Sequence, residues 1–178
     1  AFENYYRKNY SLSFEQFSEY IAKHKSSDNL SLEEAYFFQA ACAYEMMNND
    51  TDKLLSDFIS NFAENHRTND AKFLLANHFV RNQAFEKAAE IYNQIDIKTL
   101  PQNKKYEYYY KSGHCQFMLK DYDKAKQSFM NVKDARSNFA VAATYFYGHI
   151  LYEEKEYNKA LKEFLSLKNE KNFGKIVP

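Results

Sequence analysis

Apolar side chains recur along this chain at the spacing of amphipathic helices. One such stripe follows the i, i+3, i+6, i+7 positions of a helix and consists of Phe14, Phe17, Tyr20 and Ile21. Alternating apolar and polar residues, which would indicate half-buried strands, are lacking. With only 3 Gly and 2 Pro in 178 residues, few positions interrupt the helical segments. The pattern therefore predicts an all-α protein.

The individual stripes predict ten helices separated by short connections. Their ranges are Phe2–Tyr10, Ser13–His24, Ser31–Met47, Thr51–Glu64, Ala71–Val80, Phe85–Ile95, Gln102–Leu119, Tyr122–Val132, Asn138–Glu153 and Glu156–Leu167. A break is expected at residues 26–29, where the sequence reads SSDN.

Several polar residues are candidates to cap the N-termini of the predicted helices. The spacing of a capping box occurs in Ser13 with Gln16, Ser31 with Glu34 and Thr99 with Gln102. Asp50 directly precedes the predicted helix at Thr51, where its side chain could accept a bond from a free backbone N–H group.

Two stretches of the chain, residues 111–132 and 146–167, repeat one another at a distance of 35 residues. The recurring positions are Gly113 and Gly148, His114 and His149, Tyr122 and Tyr157, Ala125 and Ala160, Phe129 and Phe164. Equivalent turns precede Thr51, Phe85, Tyr122 and Tyr157, at spacings of 34, 37 and 35 residues (85 − 51, 122 − 85, 157 − 122). Such a period is typical of a helix–turn–helix unit that buries its apolar face by stacking on copies of itself.

The unit resembles the tetratricopeptide repeat (TPR). That repeat has a small residue inside its first helix, an aromatic residue opening its second helix and an Ala three residues later. Three units fit it: Gly113, Tyr122, Ala125, Phe129; Gly148, Tyr157, Ala160, Phe164; and, with Ala for Gly, Ala76, Phe85, Ala88, Tyr92. The unit Cys42, Thr51, Leu54, Phe58 is degenerate, and its Leu54 predicts a wider helix crossing.

The resemblance implies a right-handed α-solenoid of about four to five repeats, forming a single array over residues 1–178. The expected repeats are 31–66, 68–96, 101–133 and 137–168, with a partial unit over 1–25 and a run-in to a further repeat over 169–178. The chain also looks like a fragment of the long multi-repeat TPR proteins of bacteria. That likeness favours the bacterial cell envelope and leaves a cytoplasmic location open.

Composition narrows the classes of partner. Lys plus Arg and Asp plus Glu both number 24, so the formal net charge is zero, which argues against a nucleic-acid or anionic-membrane surface. The most apolar run, Phe139–Tyr152, is too short to span a bilayer, so no direct membrane insertion is expected. Cys42 and Cys115 fall two repeats apart, so we expect two unpaired thiols.

The sequence contains no recognisable catalytic motif. Nucleophile–base pairs, Gly-rich phosphate loops and paired metal ligands are not found in it. His114, His149 and Cys115 could suggest a metal, but Cys115 follows His114 directly and so points about 100° round the helix. We therefore predict a non-catalytic protein with no cofactor and no metal.

The resemblance implies that a protein or peptide binds in the concave groove, which the first helices line. Three residues before the helix-crossing position lie Phe73, Tyr110 and Tyr145, and directly after it lie Asn77, His114 and His149. A column of rings beside a column of hydrogen-bonding side chains suits an extended peptide. Alternatively, the rings only pack against neighbouring helices.

The same register bears on a second TPR specificity, the binding of a C-terminal carboxylate. The positions that hold a C-terminal carboxylate in some TPR proteins are occupied by Gln39, Ala43, Leu74, Glu107 and Lys111. Only Lys111 is suitable, which argues against a clamp of that type. Two rival functions stay open: a structural spacer or self-assembly module that could form a homodimer through the array ends, and the non-catalytic part of an enzyme whose active domain is elsewhere.

Overall fold

The computed structural model describes residues 1–24 and 30–168. Its α-helices are α1 (Phe2–Tyr6), α2 (Tyr10–His24), α3 (Leu30–Glu45), α4 (Thr51–Asn61), α5 (Thr68–Arg81), α6 (Phe85–Tyr92), α7 (Gln102–Met118), α8 (Tyr122–Met130), α9 (Ala140–Glu153) and α10 (Tyr157–Ser166). A 3-10 turn at Ile97–Thr99 precedes α7. Within these described residues all regular structure is helical, which confirms the all-α class. The expected break at 26–29 and the run-in at 169–178 lie outside them.

The chain forms two compact units. The first contains Ala1–Asn82 with Asn93–Ile95, and the second contains Gln83–Tyr92 with the chain from Asp96 onward. Within the first unit α2 packs on α3, α3 on α4 and α4 on α5; within the second, each helix from α6 to α10 packs on the next. Consecutive helices are therefore neighbours in both units, as the short connections require.

One tight turn recurs between paired helices. At each occurrence one residue has a left-handed backbone, with φ between 55° and 64°: Lys8, Met47, Gln83, Lys120 and Lys155. After Lys8, Met47, Lys120 and Lys155, the N–H group of the next residue donates to a carbonyl five positions earlier, at 2.8 Å from Asp121 to Gln116 and at 2.8 Å from Glu156 to Leu151. This is the Schellman arrangement, which usually places Gly at the left-handed position. Here the turn forms without Gly.

Counting from the left-handed residue reveals where the paired helices cross. In the helix pairs that lie within one unit, a small residue stands seven positions before it: Ala1, Ala40, Gly113 and Gly148. Four or five positions after it stands another: Ser13, Thr51, Ala125 and Ala160. A Cβ atom added to Gly148 would lie 2.8 Å from Cε1 of Phe164, and one added to Gly113 would lie 3.0 Å from Cε1 of Phe129. A larger side chain at Gly148 would therefore require the Phe164 ring to shift, and one at Gly113 would be in tight contact with Phe129.

The sequence-based register was wrong in the second repeat. It placed the crossing at Cys42 and Leu54, whereas the structural count places it at Ala40 and Thr51. Thr51 is fully buried and Leu54 is partly exposed. The wider crossing expected at Leu54 is therefore also wrong. The error arose because Thr51 follows its left-handed residue by four positions instead of five, which a fixed period cannot detect.

The capping boxes were also wrong. Ser13 lies inside α2, and its buried hydroxyl donates to the carbonyl of Ala1 at 3.0 Å. Because α3 begins at Leu30, Ser31 lies inside that helix. Thr99 belongs to the 3-10 turn, where its hydroxyl donates to the carbonyl of Asp96 at 2.9 Å. Asp50 makes no side-chain capping bond. Packing of the apolar faces therefore sets these helix starts, and the local cap signals do not.

We expect Ala125→Leu and Ala160→Leu each to lower the free energy of unfolding by about 1–3 kcal/mol, because both side chains are buried at a close crossing. Urea denaturation would measure the loss. Gln127→Leu, at an exposed position of α8, is the matched control and should change stability little. If Ala125→Leu and Ala160→Leu were both as stable as the wild type, the crossing assigned here would be contradicted.

Thr51→Tyr tests the corrected register. In the sequence-based alignment Thr51 replaces the aromatic residue that opens the second helix, so tyrosine would be tolerated or stabilising. In the structure Thr51 is fully buried at the crossing, so we expect a loss of about 1–3 kcal/mol from overpacking. Thermal unfolding compares it with Lys53→Tyr, an exposed position on the same helix. Equal melting temperatures for the two variants would restore the earlier register.

Candidate functional site

The second unit brings together four of the six residues proposed for the groove. Tyr110 and His114 lie one turn apart on α7, with ring centroids 6.3 Å apart. Tyr145 and His149 lie one turn apart on α9, with centroids 6.4 Å apart. All four side chains are partly exposed. Each aromatic–imidazole pair thus has rings on one side of its helix, because residues i and i+4 share a face.

Phenylalanines that the sequence analysis did not select join these pairs. The ring of Phe146 lies 5.2 Å from that of His114 and 5.4 Å from that of Tyr145. The ring of Phe117 packs edge-on against His149 at 5.4 Å. The sequence feature that could have identified Phe146 is its position two residues before Gly148 on the same helix. We call Tyr110, His114, Phe117, Tyr145, Phe146 and His149 the ring patch.

Packing accounts for part of this arrangement. Phe139 stacks on Tyr110 with a centroid distance of 5.3 Å and an angle of 23° between the ring planes. The ring of Tyr145 lies 6.1 Å from that of Phe164 on the paired helix. These tyrosines therefore serve the helix packing and keep only part of their surface for a ligand.

The other two proposed residues, Phe73 and Asn77, lie on α5 in the first unit. Phe73 is only 1% exposed and Asn77 is 6% exposed, so neither side chain offers much surface to a ligand. The corrected crossing at Ala40 makes Phe37, instead of Gln39, the equivalent of Tyr110 in the second repeat. The guanidinium of Arg67 lies 5.3 Å above the Phe37 ring, which is also buried. In the first unit, the positions equivalent to Tyr110 are thus occupied by buried rings of the core, Phe37 and Phe73.

Burial disfavours the charged forms of two residues of the ring patch, His114 and Tyr110. Desolvation lowers the pKa of His114, whose ring lies 5.8 Å from that of Phe85 as well as against Phe146. Desolvation also raises the pKa of Tyr110. In both cases the cause is the cost of removing a charged form from water.

One polar atom of the patch is left without a partner. Nδ1 of His149 is enclosed by protein atoms and has no hydrogen-bond partner, although the imidazole as a whole is partly exposed. A buried polar atom without a partner costs about 1–3 kcal/mol. Because the atom is enclosed, a ligand does not reach it in this arrangement of the ring.

Other reactive groups are poorly suited to chemistry. Cys42 and Cys115 are free and buried, and burial raises the pKa of the Cys115 thiol to about 12. Lys111 of the rejected carboxylate clamp is paired with Glu107 at 2.7 Å. Over residues 1–24 and 30–168, no group of three or more His, Cys, Asp or Glu side chains is placed to hold a metal ion. In the same ranges no helix is long and apolar enough to cross a membrane.

We expect the folded protein to lose stability as the pH falls below about 6.5, the ordinary pKa of histidine. The lowered pKa of His114 means that the unfolded chain binds a proton there more readily than the folded chain does. His114→Gln should therefore reduce the difference in melting temperature between pH 7.5 and pH 5.5. Part of the difference should remain, because burial also lowers the pKa of His78. An undiminished difference in His114→Gln would contradict this role for His114.

Among known proteins, only solved structures match this chain, and they match it in fold. No family model matches this sequence, and no curated protein matches it. Solved structures do match. TPR-like repeats of a kinesin light chain protein from Podosopora anserina align with a TM-score of 0.71 at 12% identity, over 98% of this chain and 92% of that one. The apo form of RapI aligns with a TM-score of 0.70 at 18% identity, over 93% of this chain and 65% of RapI.

A third match is a Rap protein complexed with competence and sporulation factor. It aligns with a TM-score of 0.52 at 21% identity, over 92% of this chain and 49% of that protein. The chain thus spans about half to two thirds of the length of these Rap proteins. At such low identities the likeness establishes the fold: this chain has the α-solenoid fold of the TPR-like repeat proteins.

Proposed function

We propose that this protein is a non-catalytic scaffold that binds a protein or peptide segment through the ring patch of its second unit. The observation that carries the proposal is the cluster of partly exposed aromatic and imidazole rings that α7 and α9 bring together. The complex of a similarly folded Rap protein with competence and sporulation factor lends support by analogy.

The chemistry of the patch indicates which segment would bind. Partly exposed faces of Tyr110, Tyr145 and Phe146 suit apolar or aromatic side chains. The partly exposed imidazole of His149 adds a hydrogen-bonding side chain to the patch. The nearby Lys111 and Glu107 neutralise each other. We therefore expect an uncharged, apolar stretch of polypeptide and little dependence of affinity on salt.

The test is to recover a partner by pull-down from the source cell and to titrate it against purified variants. Tyr145→Ala/His149→Ala should weaken binding about thirtyfold, since truncating an anchor of this kind often costs 2 kcal/mol or more. Tyr152→Ala is the matched control, because Tyr152 is also a ring on α9 but is 56% exposed outside the patch. The control should bind like wild type.

Circular dichroism would first establish that both variants are folded. A folded double variant with unchanged affinity would refute the ring patch as the binding site. A second double variant, Tyr110→Ala/Tyr145→Ala, extends the test to α7. The stability of this second variant has to be compared with that of the wild type, because removing the Tyr110 ring also removes its stacking on Phe139.

A further inference from the structure

Two cavities adjoin along the contact between α3 and α4 in the first unit. Their volumes are about 330 Å³ and about 650 Å³, and Asn61 and Phe62 line both of them. Helix α3 contributes Glu33, Tyr36 and Gln39, which follow one another at intervals of three residues and so point towards one side of the helix. We call the two cavities together the α3–α4 groove. It lies in the first unit, whereas the ring patch belongs to the second.

The narrower cavity combines aromatic rings with one carboxylate. Tyr36, Phe58 and Phe62 line it, and the ring of Phe62 lies 5.5 Å from that of Tyr36 and 5.3 Å from that of Phe58. Asp57, which also lines this cavity, is exposed. Aromatic rings beside a negative charge attract a cation through the ring quadrupole and the carboxylate together.

The wider cavity adds two carboxylates, those of Glu33 and Glu64. Nδ2 of Asn65 donates to Oε2 of Glu33 and so holds this carboxylate in place. Among the described residues, neither Asp57 nor Glu64 takes part in an ion pair. The described residues that line the two cavities include no lysine and no arginine. The groove is therefore negatively charged, and its own walls do not neutralise that charge.

Another site in the same unit shows which cation such a combination holds. The guanidinium of Arg67 lies 5.3 Å from the ring centroids of both Phe37 and Phe38. Its Nε lies 3.4 Å from Oε2 of Glu34, and its Nη1 lies 3.6 Å from Oδ2 of Asp70. Rings and carboxylates thus hold an arginine there by stacking and ion pairing together. The α3–α4 groove offers the same two kinds of group.

We propose that the α3–α4 groove binds an arginine-bearing segment of another protein. Charge complementarity decides the sign of the ligand, because three carboxylates line the groove. The only basic group among its described lining residues is His66, whose Nε2 already lies 3.4 Å from Oε1 of Glu34. The rings favour arginine over lysine, since the planar guanidinium both stacks on aromatic rings and pairs with carboxylates. Two adjoining cavities suit an extended segment with two arginines close together.

This chain is a poor source of such a segment. It contains four arginines, and the closest two are 14 positions apart (81 − 67). Three of the four are engaged: Arg67 as described above, Arg7 with Glu3 at 2.7 Å, and Arg81 with its guanidinium 4.4 Å from the Tyr44 ring centroid. The stretches 25–29 and 169–178 contain no arginine. A second copy or the chain's own ends would therefore bring lysines, and a pair of neighbouring arginines has to come from another protein.

The probe is a fluorescently labelled hexapeptide in which arginine alternates with glycine. Two matched peptides carry lysine or citrulline in place of arginine, and citrulline keeps the shape of arginine without its charge. Fluorescence anisotropy would measure their binding to the full chain. We expect the arginine peptide to bind about threefold more tightly than the lysine peptide. The citrulline peptide should bind at least tenfold more weakly, and added salt should weaken the binding of the arginine peptide.

Substitutions in the groove test where the peptide binds. Asp57→Asn/Glu64→Gln removes two exposed carboxylates and should weaken binding of the arginine peptide about threefold or more. Tyr36→Leu keeps an apolar side chain but removes the ring, so it should abolish the preference for arginine over lysine. The matched control Glu45→Gln/Asp52→Asn removes the same charge from exposed positions of the first unit outside the groove. The control should bind the arginine peptide like wild type.

Several results would overturn the proposal. Absence of binding to the full chain up to about 1 mM arginine peptide is one. Equal affinity for the arginine and citrulline peptides is another, as is unchanged affinity in a folded Asp57→Asn/Glu64→Gln variant. Tyr145→Ala/His149→Ala, in the ring patch, should leave this binding intact, and a loss there would place the peptide in the ring patch instead. If sedimentation shows a dimer that the arginine peptide dissociates, a second copy occupies the groove. Circular dichroism confirms that the variants are folded.

Discussion

The close crossing of paired helices is the contact on which the rest of this structure depends. A Cβ atom added at Gly113 or Gly148 would come within 3.0 Å of the opposing phenylalanine ring, so the paired helices lie close together there. Ala125 and Ala160 on the paired helices are small and buried as well. Because interiors are packed at near-crystalline density, this contact fixes the rotation of each helix about its axis. That rotation in turn decides which residues reach the surface.

The ring patch follows from this rotation. With Gly113 and Gly148 against the paired helix, Tyr110 and Tyr145, one turn earlier, remain partly exposed beside His114 and His149. The same rings also contact Phe139 and Phe164, so the site and the packing share side chains. A repeat scaffold commonly presents binding residues in this way, because each repeat places equivalent side chains at equivalent positions. The unpartnered nitrogen of His149 is the feature that packing alone does not explain.

The left-handed turn keeps consecutive helices in register without glycine. Lys120 and Lys155 adopt φ values of 61° and 64°, which cost a non-glycine residue about 1–2 kcal/mol. The bonds from the next N–H groups, Asp121 to Gln116 and Glu156 to Leu151, offset this cost. Since the residue type does not mark these turns, the sequence reveals them only by their period.

The sequence by itself determined the helical class, the repeat and the helix starts at Thr51, Phe85, Gln102 and Tyr122, because amphipathic periodicity and small residues at a fixed spacing are local properties of the chain. Tertiary structure decided what depends on the partner helix. It moved the second crossing from Leu54 to Thr51 and enclosed Phe73 in the core. It also brought Phe146 of α9 against His114 of α7. Burial and contact across helices are set by the packing of whole faces, which no single stretch of sequence contains.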